Sequence, residues 1–331
     1  MTTTIGRRKL IAVLAGTMVA RPLAGFVQVS AKQRLIAWLS GGAQTTSRPF
    51  VESFLQGMLE LGYVEGRDFD MAYRYSEGIQ DRLPALAEEL VRLKPDIILA
   101  AAVGQAVPAR NATSTIPIVC PALADAGHLG LITSEARPGG NVTGIEPYVA
   151  GLPAKQMELA REIVPGATRV ALLTDLEDPK APPQVQELEA AARTLEVKIA
   201  AADAGRPDKI GSAFQALASE RVDVVIVLQT SMLLSQSRQI AELALAKRLP
   251  TVYGYREHVV AGGLVSYGVD LRWCYHRGAY FVDKILHGTA PGDLPVEFPT
   301  KMVLAINLKT ASALGITVPP MLLARVDEVI E

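Results

Sequence analysis

The sequence predicts an α/β protein made of two doubly wound lobes, and three observations carry that expectation. Short apolar runs rich in β-branched residues alternate with longer segments whose apolar residues recur every three or four positions, as in a parallel sheet with helices on both faces. Three strings of the first half return in the same order in the second. Lys94-Pro95-Asp96-Ile97-Ile98-Leu99 is echoed by Arg221-Val222-Asp223-Val224-Val225-Ile226, and Ile116-Pro117-Ile118-Val119 by Leu249-Pro250-Thr251-Val252. Gly139-Gly140-Asn141-Val142-Thr143 is echoed by Gly262-Gly263-Leu264-Val265-Ser266. An ordered set of this kind favours a duplicated lobe over one long sheet. Finally, 331 residues of which 49% are hydrophobic and 20% charged supply enough apolar material for two cores. The expected fold class is therefore α/β with two Rossmann-like lobes, and two lobes imply a cleft.

The elements follow in chain order. Arg7, Arg8 and Lys9 precede an apolar run from Leu10 to Ala20, and Val29-Ser30-Ala31 offers small residues for a signal peptidase. Residues 1–31 thus read as an export signal cleaved near Ala31, which places the mature chain in the periplasm. The apolar run is about half the roughly twenty residues that a bilayer-spanning helix needs. Lobe 1, residues 32–146, is expected to hold strands at 34–39, 70–75, 96–103, 116–121 and 142–145, with helices at 49–61 and 82–93. Lobe 2, residues 147–268, is expected to hold strands at 169–174, 197–201, 222–228, 251–253 and 264–266, with helices at 184–195, 210–220 and 235–248. The remainder fits neither copy. It reads as a helix at 274–287 ending near Gly288, a Pro-rich stretch at 290–299, a strand at 301–307, and helices at 310–314 and 320–330. This tail is expected to cross between the lobes, its helix at about 270–290 joining lobe 1 and residues 300–331 joining lobe 2.

Composition and missing motifs exclude several function classes. Thirty-three basic against thirty-four acidic residues give a net charge of −1, and removal of residues 1–31, with four basic and no acidic groups, leaves 29 against 34, or −5. That balance argues against a nucleic-acid partner. Cys120 and Cys274 are too few for a disulfide framework or a zinc site and read as buried thiols. The chain lacks a P-loop and a dinucleotide-binding glycine signature. Gly263-Leu264-Val265-Ser266-Tyr267-Gly268 misses the nucleophile-elbow spacing by one residue. His128, His258, His276 and His287 stand without a second ligand at metal spacing. No catalytic residue, metal or cofactor is therefore expected, and the chain is expected to be monomeric. An enzyme on a two-lobed scaffold acting on a small metabolite is the alternative, and a regulatory effector domain would require a DNA-binding head.

In open α/β sheets, ligands bind beyond the carboxyl ends of the strands, so the loops there hold the candidate site. In the first lobe these loops contribute Ser40, Gly41, Gly42, Gly104, Gln105 and Asp125. In the second they contribute Thr174, Gln229, Tyr253, Tyr255, Arg256, Glu257 and Tyr267. Backbone N–H groups near residues 40–42 and 104–105 are expected to meet a ligand carboxylate, Asp125 or Glu257 an amine, and Tyr255 or Tyr267 the flank of a side chain. Seven of the eighteen aromatic residues fall within 253–281. Of these, Trp273, Tyr280 and Phe281 have the spacing of helix packing.

From about residue 33 onward, the sequence resembles the substrate-binding proteins of ABC-type importers, in particular the tryptophan- and tyrosine-type solute binders. The resemblance rests on the strings at 54–66 (FLQGMLELGYVEG), 112–119 (ATSTIPIV), 136–144 (ARPGGNVTG), 253–258 (YGYREH), 262–268 (GGLVSYG) and 299–310, continuing to Val329. It implies a fold like that of the type I periplasmic binding proteins, two lobes joined by crossover strands with a solute held between them, and an ABC permease as partner. The sequence departs from the family pattern at Asp125-Ala126-Gly127-His128, Thr174-Asp175-Leu176 and Gln229-Thr230-Ser231.

Overall fold

The computed structural model describes residues 33–147 and 149–331. The expected export signal lies outside the described residues. Among those that are described, no helix is long and apolar enough to cross a membrane.

The first half folds as β1 (Arg34–Ser40), α1 (Gln44–Glu60), β2 (Phe69–Tyr75), α2 (Leu83–Arg92), β3 (Ile97–Ala100), α3 (Val103–Ala112), β4 (Ile118–Cys120) and β5 (Val142–Gly144). Its strands form one parallel sheet in the order β2-β1-β3-β4-β5. Ile36, Ala37, Trp38 and Leu39 on β1 are all fully buried. Helices cover both faces of a parallel sheet, so its strands carry continuous rather than alternating apolar runs.

The second half continues with α4 (Leu152–Ile163), β6 (Arg169–Thr174), α5 (Ala181–Thr194), β7 (Lys198–Asp203), α6 (Ile210–Ser219), β8 (Val224–Val227), α7 (Ser231–Ser235), α8 (Ser237–Ala246), β9 (Thr251–Tyr253), α9 (Arg256–Val260) and β10 (Val265–Val269). The tail adds α10 (Leu271–Leu286), β11 (Met302–Asn307), α11 (Leu308–Leu314), α12 (Pro320–Leu323) and β12 (Glu328–Ile330). The second sheet runs β12-β11-β10-β9-β8-β6-β7 and is parallel except where β11 meets β10. Apart from the added edge, the strand order is that of the first sheet. The echoed strings occupy matching places: Asp96 accepts a hydrogen bond from Leu35 N (2.8 Å) at the start of β1, and Asp223 one from Arg169 N (2.9 Å) at the start of β6. Lys94 and Arg221, two residues before these aspartates, share a left-handed backbone at φ 52° and 53°.

Four local expectations are corrected. Residues 103–105 are the first turn of α3, not a strand end and loop. α4 and α9 are additional helices. Residues 320–330 are not one helix, because the chain leaves α12 to pair β12 alongside β11. α10 packs on α1 of the first half, and residues 291–297 return along β5 before the chain enters β11.

Candidate functional site

β1 ends at Ser40, and Ser40-Gly41-Gly42 turns the chain into α1. Ser40 Oγ shares a 2.8 Å hydrogen bond with Ser47 Oγ and accepts one from Gly42 N at 3.2 Å. Gly41 lets the Gln105 amide approach closely, since a Cβ there would lie 2.5 Å from the Gln105 side-chain nitrogen and displace it. Gln105 sits in the first turn of α3, fully buried, and neither atom of its amide has a hydrogen-bond partner. A buried amide without partners is costly and is uncommon in folded proteins. This amide faces a cavity.

The opposite wall comes from the second lobe. The loop after β6 is held by Asp178, whose Oδ1 accepts from Lys180 N (2.9 Å) and whose Oδ2 accepts from Ser231 N (3.2 Å). Lys180 is 4% exposed and lines the cavity together with Tyr255. Burial works against the charge on Lys180, but Tyr255 and Asp178 outweigh it and hold the ammonium above the ordinary lysine range. Burial raises Tyr255 in turn, with Lys180 opposing. Tyr275 of α10 stacks on Phe50 at 4.7 Å and on Trp38 at 5.6 Å, and its hydroxyl donates to Ala101 O at 2.7 Å. These groups line a narrow, partly open cavity, with Thr46, Ser47, Thr230, Ser231 and Ser235 supplying hydroxyls.

Of the residues expected at the site, Ser40, Gly41, Gly42, Gln105 and Tyr255 line this cavity. The structure places the others elsewhere. Gly104 faces a hollow beside Glu177 and Pro179, because the helical turn points it away from Gln105. Asp125 lies in an outer groove, bonded to His128 (2.6 Å) and donating its backbone N–H to Glu146 (2.8 Å). Thr174 and Gln229 are buried, bonded to Ala202 O and Gly254 O. Tyr253 is fully buried and stacks on His258 at 4.5 Å. Arg256 pairs with Glu328 of β12, and Glu257, 3.9 Å from Arg272, is raised by burial. Both belong to the first turn of α9, and neither lines the cavity. Tyr267 opens onto a separate groove with Lys155 and Arg325.

The sequence reading did not single out Lys180, Ser231, Phe50 or Tyr275 as site residues. Tyr275 was one of the clustered aromatics, but it belongs to the tail. Lys180 lies in a charged, Pro-rich loop that resembles solvated surface. The Cys120 and Cys274 thiols are buried and unpaired, as expected.

Two lobes built on parallel sheets, with a cavity lined by loops from both, give the fold of the type I periplasmic binding proteins. The chain belongs to the family of ABC transporter substrate-binding proteins, whose model matches residues 42–330. It is 24% identical over 263 residues to a tyrosine-binding protein of Clostridioides difficile (strain R20291), covering 80% of this chain and 75% of that relative. A conserved domain protein from Vibrio cholerae shares 27% identity at a TM-score of 0.82, with 90% of this chain and 100% of that one covered. A Streptococcus pneumonia domain crystallised with L-Trp shares 23% identity at a TM-score of 0.83, with the same coverage.

Proposed function

We propose that this chain is the exported, periplasmic receptor of an ABC importer, binding an amino acid or related carboxylate and presenting it unaltered to a membrane permease. The observation that carries this reading is the unpartnered Gln105 amide of the first lobe facing Lys180 and Tyr255 of the second. A ligand that engages all three at once favours the closed arrangement, because it shifts a conformational equilibrium by its differential affinity for the two states. The Phe50–Tyr275 stack supplies an apolar wall for a flat group. The names of the tyrosine-binding relative and of the L-Trp complex support the same ligand size and class.

A thermal-shift screen of L-tyrosine, L-tryptophan and their carboxylate analogues tests the reading. A ligand at one hundred times its Kd adds about 2.7 kcal/mol of stability. Mass spectrometry of the incubated mixture should recover the ligand unchanged, and accumulation of a product would move the case to an enzyme. N-terminal sequencing of the periplasmic form should begin near Lys32.

A further inference from the structure

The lining of the cavity is unequal in sign. Lys180 is the one charged side chain among the described residues that line it, and the others are hydroxyls, one amide and apolar groups. No carboxylate of a described residue forms an ion pair with its ammonium, and Asp178, two residues before it, is engaged by the backbone N–H groups of Lys180 and Ser231. The starts of α1 and α3 also meet this space through Gly42, Thr46, Ala102 and Gln105, and neither start has a side-chain cap. The helix dipole adds positive potential at both places, whereas the Val103 and Gln105 N–H groups of α3 are already bonded to Ala122 O and Ala102 O. The Gln105 amide, fully buried and without a partner, supplies a further donor from the opposite lobe. Lys180 and the helix dipoles favour an anion, while the Gln105 amide, unpartnered at both nitrogen and oxygen, can donate to a carboxylate as well as accept from a donor. The Asp178 carboxylate is already engaged by two backbone N–H groups and by the Lys180 charge, so a second ammonium here would lack a carboxylate of its own, and an unpaired buried charge is strongly unfavourable. The acidic groups Asp125, Glu135 and Glu146 lie in the outer groove, which Lys180 also lines, so an amine reaching them would lie alongside another cation.

We propose that the cavity takes a monocarboxylate with an apolar, ring-bearing body and no α-ammonium group, such as an aryl-substituted 2-oxo or alkanoic acid, in preference to the matching amino acid. The carboxylate sits between Lys180 and Gln105, and the ring lies against Phe50 and Tyr275. This assignment rests on the reading of the cavity as the site of an unaltered guest and narrows its ligand class.

Calorimetry on the full chain tests it with matched sets: phenylpyruvate, 3-phenylpropionate, L-phenylalanine and 2-phenylethylamine, then indole-3-propionate, L-tryptophan and tryptamine. The acids should bind at least ~10-fold more tightly than the amino acids, and the amines should not bind. Lys180→Met should weaken the acids by ~100-fold and Lys180→Arg by far less, with circular dichroism and melting curves showing that both variants are folded. Gln105→Leu provides a second handle on the same ligands. An amino acid binding as tightly as its deaminated partner, and weakened by Gln105→Leu, would overturn the inference while leaving the cavity as the binding site. Absence of binding by every probe, or binding indifferent to both Lys180→Met and Gln105→Leu, would overturn the cavity reading and the inference together.

Discussion

Single side chains in this protein trade stability against binding. Gln105 buries an amide whose hydrogen bonds are unmade, at a cost on the order of 1–3 kcal/mol. Gln105→Leu should therefore raise the melting temperature of the unliganded protein while ligand affinity falls, a pairing of effects that melting curves and calorimetry read separately. Asp175 makes a second case. Burial pushes its carboxyl up to about 7, with Asp178 adding to the effect. The unfolded group titrates near 4, so folding favours the protonated form, and stability is highest below that pH and declines as pH rises towards 7. Asp175→Asn should gain on the parent protein between pH 4 and pH 8, by up to a few kcal/mol at the alkaline end. Equal melting temperatures for the two proteins at pH 8 would contradict this. The sequence marked Gln105 through its place after a strand, but its lack of partners depends on neighbours distant in the chain.

At the scale of elements, the pairing of α1 with α10 shapes the apolar wall of the cavity. Gly57 of α1 lies against the His276 carbonyl of α10, and any Cβ there would collide with that backbone. Gly57→Ala should push the helices apart and cost about 1–3 kcal/mol in denaturant unfolding. Phe50 and Tyr275 ride on the same two helices, so affinity should fall together with stability. Periodicity revealed α1, α2, α5, α6 and α10 to within a few residues, because each carries an apolar face. α3 escaped because Gly104, Pro108 and Asn111 are poor helix formers and its position is set by packing under the sheet. β12 escaped because an isolated three-residue strand has no signature of its own and exists only through its pairing with β11.

At the scale of the molecule, the chain passes between the two sheets three times: after β5, between β10 and α10, and from residue 297 to β11. The first and third passages run side by side: Ile145 and Glu297 form a bridge, Glu146 N donates to Glu297 O at 2.8 Å, and Arg277 grips the Glu297 carboxylate with bonds of 2.8 and 2.7 Å. Paired strands of this kind bend together and so suit a hinge. A saturating ligand should reduce the radius of gyration in solution scattering, and Glu297→Ala should weaken that response more than it weakens the fold of either lobe. An unchanged radius with a bound ligand would rule out closure.

The sequence by itself determined the duplicated α/β halves, the position along the chain of nearly every strand and the turn at Ser40-Gly41-Gly42, because apolar periodicity and repeated strings are local properties. Only the tertiary structure decided which strand-end residues share a cavity. It brought Lys180 and Tyr275 to the cavity, buried Arg256 and Glu257 away from it, and opened Tyr267 onto a separate groove. The direction of a side chain at a strand end depends on how the next helix begins and what packs on it, and those contacts come from parts of the chain as much as 170 residues away, as Tyr275 and Ala101 do.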